Sequence, residues 1–226
     1  MSGCANLEAF RAATAKRSAG VAKHMVEEDG PLGRQALKTR LTREKIINAV
    51  VSLLKEGGIS AASSSRIAQR AGITWGAAQH HFGSKEEILD AVLEISHEEF
   101  LELMSDASLR SGSLADRVDV FVERMWRHYQ SDMYMAALEI LLATRGFQRN
   151  TPSLLAERQT RGHLKNLREI FYDSKLDDKR ILEALVFVHC FMTGLTIERM
   201  FENKVPSMGR HLQRIKLVLL TMLNDV

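Results

Sequence analysis

Residues 63–85 read SSSRIAQRAGITWGAAQHHFGSK, and this stretch decides the fold. Ile67, Ala68 and Ala71 fall at i, i+1 and i+4, one face of a short helix that Ser63 or Ser64 is placed to N-cap. Gly72 then supplies a left-handed turn residue, a conformation that a β-carbon resists. After Ile73, Thr74 caps a second helix on which Ala78 and Phe82 share a face at i, i+4. Gly83-Ser84 stops that helix, and Ser84-Lys85-Glu86-Glu87 reads as a capping box opening the next. Two short helices, a glycine turn and small residues where the helices cross make a helix-turn-helix.

With Ala78 and Phe82 turned inward, the second helix presents Thr74, Trp75, Ala77, Gln79, His80 and His81 outward. A helix fits the major groove of DNA, where each base pair shows a distinct donor and acceptor pattern. Gln79 suits bidentate pairing with adenine, Thr74 and Ala77 suit thymine methyls, and His80 reaches a guanine acceptor. Trp75 either packs on a sugar or thymine methyl or folds back on its own domain. Lys85 sits at a helix start, where backbone N–H groups also favour an anion. Ahead of this stretch, Ile46, Ile47, Val50, Val51 and Leu54 mark an apolar helix face over about Arg43–Glu56. Thr42 reads as its cap and Gly57-Gly58 as its end.

At these residues the chain resembles the tetracycline-repressor (TetR) family of bacterial regulators. The pattern is Ile67-Ala68, Ala71-Gly72-Ile73, Phe82 and Ser84-Lys85 behind the Ile46–Leu54 helix, within roughly Leu41–Leu93. Gln79 stands where the family usually has tyrosine, and Trp75 where a small, polar or basic residue is common. The resemblance implies that Ser64, His81 and Lys85 meet phosphates, and that Ser65, Trp75, Ala77, Gln79 and His80 face the groove. It also implies an all-α fold. An N-terminal three-helix DNA-binding domain is followed by a larger helical domain for ligand binding and dimerisation.

Charge agrees with a nucleic-acid contact confined to one end. Between Arg34 and Lys85 there are nine Lys/Arg against two Glu, a local +7, whereas from Glu86 onward eighteen face twenty-two acids. The two cysteines, Cys4 and Cys190, offer neither a disulfide framework nor metal-ligand spacing, which suits the cytoplasm. Residues 1–28 lack the apolar core of a signal peptide. The apolar run Ala184–Ile197 is too short to span a bilayer, so no membrane partner is expected.

Residues 1–38 read as a mobile extension, with a weak helical pattern over Asn6–Glu28. A sharper reading makes Arg34, Lys38 and Arg40 a basic arm for a neighbouring minor groove. Residues 39–84 form the DNA-binding domain and 85–226 the helical ligand-binding and dimerisation domain. Helices are expected over 84–105, from Ser113 with a capping box, over 133–144 capped by Asp132 and closed at Gly146, and from Thr151-Pro152 to about Tyr172. Asp177 caps a further helix to Glu202, and a last one covers about Ser207–Leu223. No stretch alternates with period two, so no sheet is expected.

Nothing in this second domain reads as catalysis. There is no phosphate loop, Gly-x-Ser-x-Gly elbow, HExxH or CxxC, so an enzyme, a cofactor and a metal are not expected. His189-Cys190 reads as a core pair. Phe121, Met125, Trp126, Tyr129, Met133, Leu138, Leu141 and Leu142 mix methionine with aromatic residues on two successive helices. Such a lining suits either ordinary core or a loose pocket for a mostly apolar molecule. The family's architecture favours a pocket built on Met125, Trp126, Tyr129, Met133, Leu138 and Leu142. The last two helices carry apolar stripes wide enough for a core face and a partner face, with Gly194 permitting close approach. The expected function is a homodimeric transcriptional regulator, a repressor in sign, that binds a palindromic double-stranded operator and is released by a small molecule. The alternative is the same fold governed by a protein partner.

Overall fold

Side-chain caps open most of the described helices. The computed structural model describes residues 31–144, 154–202, 205 and 207–224, and among them are helices and turns but no strand. In order these are α1 (Pro31–Ala61), α2 (Ser64–Ala71), α3 (Trp75–Phe82), α4 (Lys85–Ser105), a short 3-10 turn (Ala107–Arg110), α5 (Leu114–Tyr129), α6 (Asp132–Thr144), α7 (Leu154–Ile170), α8 (Asp178–Phe201) and α9 (Met208–Asn224). Ser63 accepts from Arg66 N–H, Thr74 from Ala77, Ser84 from Glu87 and Asp177 from Arg180. Ser113 and Asp116 close a full capping box. Each satisfies an N–H that has no partner within its helix.

Two expected boundaries shift. The first helix begins at Pro31, and Thr42 lies inside it, its hydroxyl donating to Lys38 O at 2.9 Å rather than capping. Proline is at home in a first helical turn, where its missing N–H costs nothing. Gly57 and Gly58 do break the regular helix, with Gly58 at φ 62. At α6 the cap is Ser131, which accepts from Tyr134 N–H at 3.0 Å. Asp132 instead receives the Lys55 ammonium at 2.8 and 2.9 Å. The weak helix over Asn6–Glu28, the stop at Gly146, the start at Thr151-Pro152 and the role of Pro206 lie outside the described residues.

Two compact units divide at Lys45. In the first, the described residues belong to α1 and are mostly exposed, Arg34, Lys38 and Arg40 among them, with Arg40 paired to Glu44 at 3.6 Å. The second unit, residues 46–226, holds two apolar clusters. One joins Ile46, Val50 and Leu53 of α1 to Ile67, Ala78, Ile88 and Val92, and it also takes in Ala136 and Ile140 from α6. The other packs Phe100, Met104, Phe121, Met125, Trp126 and Tyr129 against α7, α8 and α9.

Helix α8 is the one described helix long and apolar enough to cross a membrane. It buries Ile181, Ala184, Val188, Met192 and Thr196 in the core. Cys190 falls off this face and is exposed, whereas His189, beside it, turns its ring in to the Tyr129 hydroxyl, so only half of the expected core pair is turned out. A helix apolar on most sides does not reveal which side is inside.

Trp126 is 8% exposed, with the Arg199 guanidinium 5.6 Å from its ring centre. Truncating such a side chain leaves a cavity as well as losing its transfer free energy. Trp126→Ala is therefore expected to cost about 3–5 kcal/mol, read as a lower denaturation midpoint with unchanged slope.

Candidate nucleic-acid interface and ligand-sensing core

The turn between α2 and α3 is made by Gly72 at φ 68, ψ 35. Its N–H reaches Gln69 O at 3.2 Å, and Ile73 N–H reaches Ala68 O at 3.0 Å, so the carbonyls ending α2 are satisfied locally. Ile67 and Ala78 are buried where the two helices meet. At the far end Gly83 adopts φ 93, and a β-carbon there would sit 2.2 Å from the Glu87 carboxylate. Arg70 grips α1 through Glu56, at 2.5 and 2.7 Å, and reaches Ser52 at 2.5 Å. Hydrogen bonding to Arg70 leads the causes that hold the Glu56 carboxyl down at about 2. Two cations of the basic stretch, Lys55 and Arg70, are thus engaged in holding the fold.

On the outer side, Ser65, Thr74, Gln79 and His80 are exposed, while Ser64, Ala77, His81 and Lys85 are half-buried. The His80 and His81 rings meet edge to face at 5.6 Å. Trp75 is half-buried and packs against the apolar cluster of its own domain. Lys85 opens α4 behind Ser84, and Glu86 and Glu87 share that first turn. The two carboxylates already complement the helix dipole, so attraction for a phosphate at this end rests on the Lys85 ammonium. The exposed residues absent from the set read off the sequence include Arg66 on α2 and Gly76, the second residue of α3. Gly76 left a signal, because glycine inside a short helix costs about 1 kcal/mol against alanine. A β-carbon there would meet open space.

The residues expected to line a pocket do not all converge. Met125, Trp126 and Tyr129 are buried together in the larger cluster. Leu138 is buried, Met133 packs against the smaller cluster that also holds α1, and Leu142 is 40% exposed. Around Tyr129 lies a polar layer that the sequence did not announce. Its hydroxyl hydrogen-bonds His189 Nδ1, and its carbonyl accepts from Thr196 Oγ1 at 3.2 Å. The Tyr134 ring lies 4.3 Å from it, and the Tyr134 hydroxyl meets Thr193 Oγ1 at 3.0 Å. His128 packs against Tyr134 at 5.1 Å and Phe100 at 5.3 Å, and His163 against His97 at 5.0 Å and Phe100 at 5.1 Å. Burial, with a smaller contribution from the His97 charge, pushes His128 and His163 down to about 4. Among the described residues no group of three or more His, Cys, Asp or Glu is placed to hold a metal ion.

Three helices with a glycine turn and an exposed, capped third helix define the class: a helix-turn-helix domain of the DNA-reading type, carried on a helical body. Residues 46–92 match the family described as bacterial regulatory proteins, tetR family. Over that stretch the chain carries a TetR-type DNA-binding domain. The regulator SrpR of Pseudomonas putida is 40% identical over 60 residues, covering 26% of this chain and 28% of that relative's length. A solved TetR-family member from Streptomyces coelicolor A3 superposes with TM-score 0.61 at 18% identity, covering 82% of this chain and 99% of that one. The multidrug binding protein EbrR, solved with imidazole, superposes with TM-score 0.57 at 19% identity, covering 81% and 90%. At these identities the two structural likenesses concern the fold.

Proposed function

We propose that this chain is a cytoplasmic, homodimeric transcriptional repressor that binds a palindromic operator and is released by a mostly apolar small molecule. The observation that carries the reading is helix α6. Ala136 and Ile140 pack with the DNA-binding helices, while Tyr134, two and six residues away, joins the polar layer around Tyr129. One rigid helix therefore touches both the domain that grips DNA and the core where a ligand would act. The Lys55–Asp132 pair adds a polar tie at the start of the same helix.

The mechanism is competition between two arrangements of the dimer. One places the two α3 helices at the spacing of successive major grooves, roughly 34–36 Å. Ligand favours the other, and operator affinity falls by the ligand's differential binding to the two. Support for a second copy comes from the outward face of α8 and α9. It exposes Val186, Phe187, Met200, Phe201, Leu217 and Val218, with Phe201 82% exposed. That a relative in fold is called a multidrug binding protein lends weight to a small-molecule effector rather than control by a protein partner.

On the DNA, Ser64, His81 and Lys85 take phosphates, and Ser65, Thr74, Trp75, Ala77, Gln79 and His80 line the groove side. Lys85→Ala is expected to weaken binding to operator and random DNA alike and to lower the salt slope by about one. Gln79→Ala is expected to change the preferred base at one position, at about 1–3 kcal/mol. Titrating both variants against operator and scrambled duplexes at several salt concentrations tests this. Equal losses on both duplexes for both variants would refute the division of roles.

A further inference from the structure

Five of the nine Lys/Arg between Arg34 and Lys85 precede the helix-turn-helix altogether. They are Arg34, Lys38, Arg40, Arg43 and Lys45 of α1, against one acid, Glu44. The helix is regular over this span, its non-helical residues being Gly57 and Gly58. At about 100° per residue, Arg34, Lys38 and Lys45 fall within about 40° of one another, spread over about 16 Å of helix. All three are exposed, and among the described residues none of them is ion-paired. Arg40 falls on another side and is paired to Glu44. Lys55 and Arg70, by contrast, are engaged by Asp132 and Glu56. Nothing in the described fold calls for the row of three. Arg34 and Lys38 stand at i, i+4, where like charges destabilise a helix unless an anion faces them.

We propose that Arg34, Lys38 and Lys45 form a further DNA contact, a helical stripe that binds backbone phosphates without regard to base sequence. The inference rests on the DNA-binding part of the reading above and adds residues to it. Over about 16 Å of axis, one strand of a duplex presents about five charges, enough to face the whole row. The helical form also decides the kind of contact. A helix with its side chains is about 10–12 Å across and the minor groove about 6 Å wide, so the stripe meets phosphates and does not enter that groove. The competing polyanion is a membrane surface. Only Leu37 and Leu41 flank the stripe as exposed apolar residues, 42% and 45% exposed, too little to seat a helix in lipid.

The test titrates the full chain with a mixed-sequence duplex of about 40 base pairs, four helical turns, at several salt concentrations. Arg34, Lys38 and Lys45 are replaced together by alanine, which keeps the helix. The salt slope is expected to fall by about two to three and affinity at about 0.15 M salt by about tenfold or more. Arg34→Lys, Lys38→Arg and Lys45→Arg, made together, should keep the wild-type slope, because a phosphate contact needs the charge and not the shape of its carrier. A charge-matched control replaces the exposed Lys175, Lys179 and Arg180 of the second unit by alanine and should leave the slope nearly unchanged. Helix content by circular dichroism is read on every variant.

A wild-type slope in the triple alanine variant would overturn the proposal. So would an equal drop in the Lys175, Lys179 and Arg180 control, which would make net charge the cause. Vesicles of phosphatidylcholine with phosphatidylserine are titrated in parallel. A stripe that governs vesicle binding and leaves the DNA slope alone would overturn it in favour of lipid. Unchanged DNA binding in the triple variant removes the stripe and leaves the DNA-binding reading standing. A wild type that binds no duplex removes both.

Discussion

Gly194→Glu is expected to leave the monomer folded and to abolish the dimer, with operator affinity falling by about a hundredfold or more. Gly194 lies on the exposed side of α8, and a β-carbon built there meets no atom within 4 Å. Glutamate is also the better helix former, so the substitution has no reason to harm the isolated chain. In a dimer seamed through α8 and α9, the same position faces the partner's apolar surface. Phe187, Phe201, Leu217 and Val218 supply that surface on each copy. A carboxylate pressed against it loses its water and finds no cation, and by two-fold symmetry the cost falls twice. One half-site then holds one recognition helix, and the advantage of tethering two, typically about 10²–10⁴-fold, disappears. Light scattering and an operator titration on the same preparation decide it. A variant that stays dimeric would place the interface elsewhere.

Acid is expected to destabilise this protein well before its carboxylates titrate. His128 is 5% exposed and His163 has its Nε2 buried, and both titrate at about 4 in the folded chain against an ordinary value of 6.5. Above pH 6.5 the rings are neutral in both states and contribute no pH dependence. As pH falls below that, the unfolded chain binds protons that the folded chain refuses, so stability drops down to about pH 4 and then levels off. The loss is about 3 kcal/mol for His128 and somewhat less for the half-buried His163. Groups such as Glu56 and Asp106, held down by Arg70 and by the Ser108 N–H, lose their contribution only at lower pH. Urea midpoints measured between pH 7.5 and 4.5 should therefore fall steeply in wild type and by roughly half as much in His128→Phe, in which His163 still titrates. A flat wild-type profile over that window would mean that these rings are not shielded.

Much of the DNA-binding unit was legible in the sequence because its signals are local. Ser63, Thr74, Ser84, Ser113 and Asp177 each cap a helix from within three residues. Gly72 takes the left-handed turn that its neighbours demand. A cap needs only its own backbone, so a single stretch of chain carries the whole interaction. Where two local solutions competed the reading slipped. Asp132 and Ser131 are both good caps, and the choice went to Ser131 because Lys55, seventy-seven residues away, occupies the Asp132 carboxylate. Thr42 failed as a start for a similar reason: the helix already runs through it from Pro31.

By itself the sequence determined the helical class, the helix-turn-helix and the caps that bound its helices, because periodicity and capping act over three or four residues. Only the tertiary structure decided which face of α8 lies inside, sending Cys190 outward while bringing His189 to Tyr129, and which of the expected pocket residues meet. It turned Leu142 to the surface, set Met133 beside the DNA-binding helices, and gathered His97, His128 and His163 from three helices around Phe100. Those choices depend on residues far apart in the chain, and a helix apolar on most of its circumference leaves them open until its partners pack.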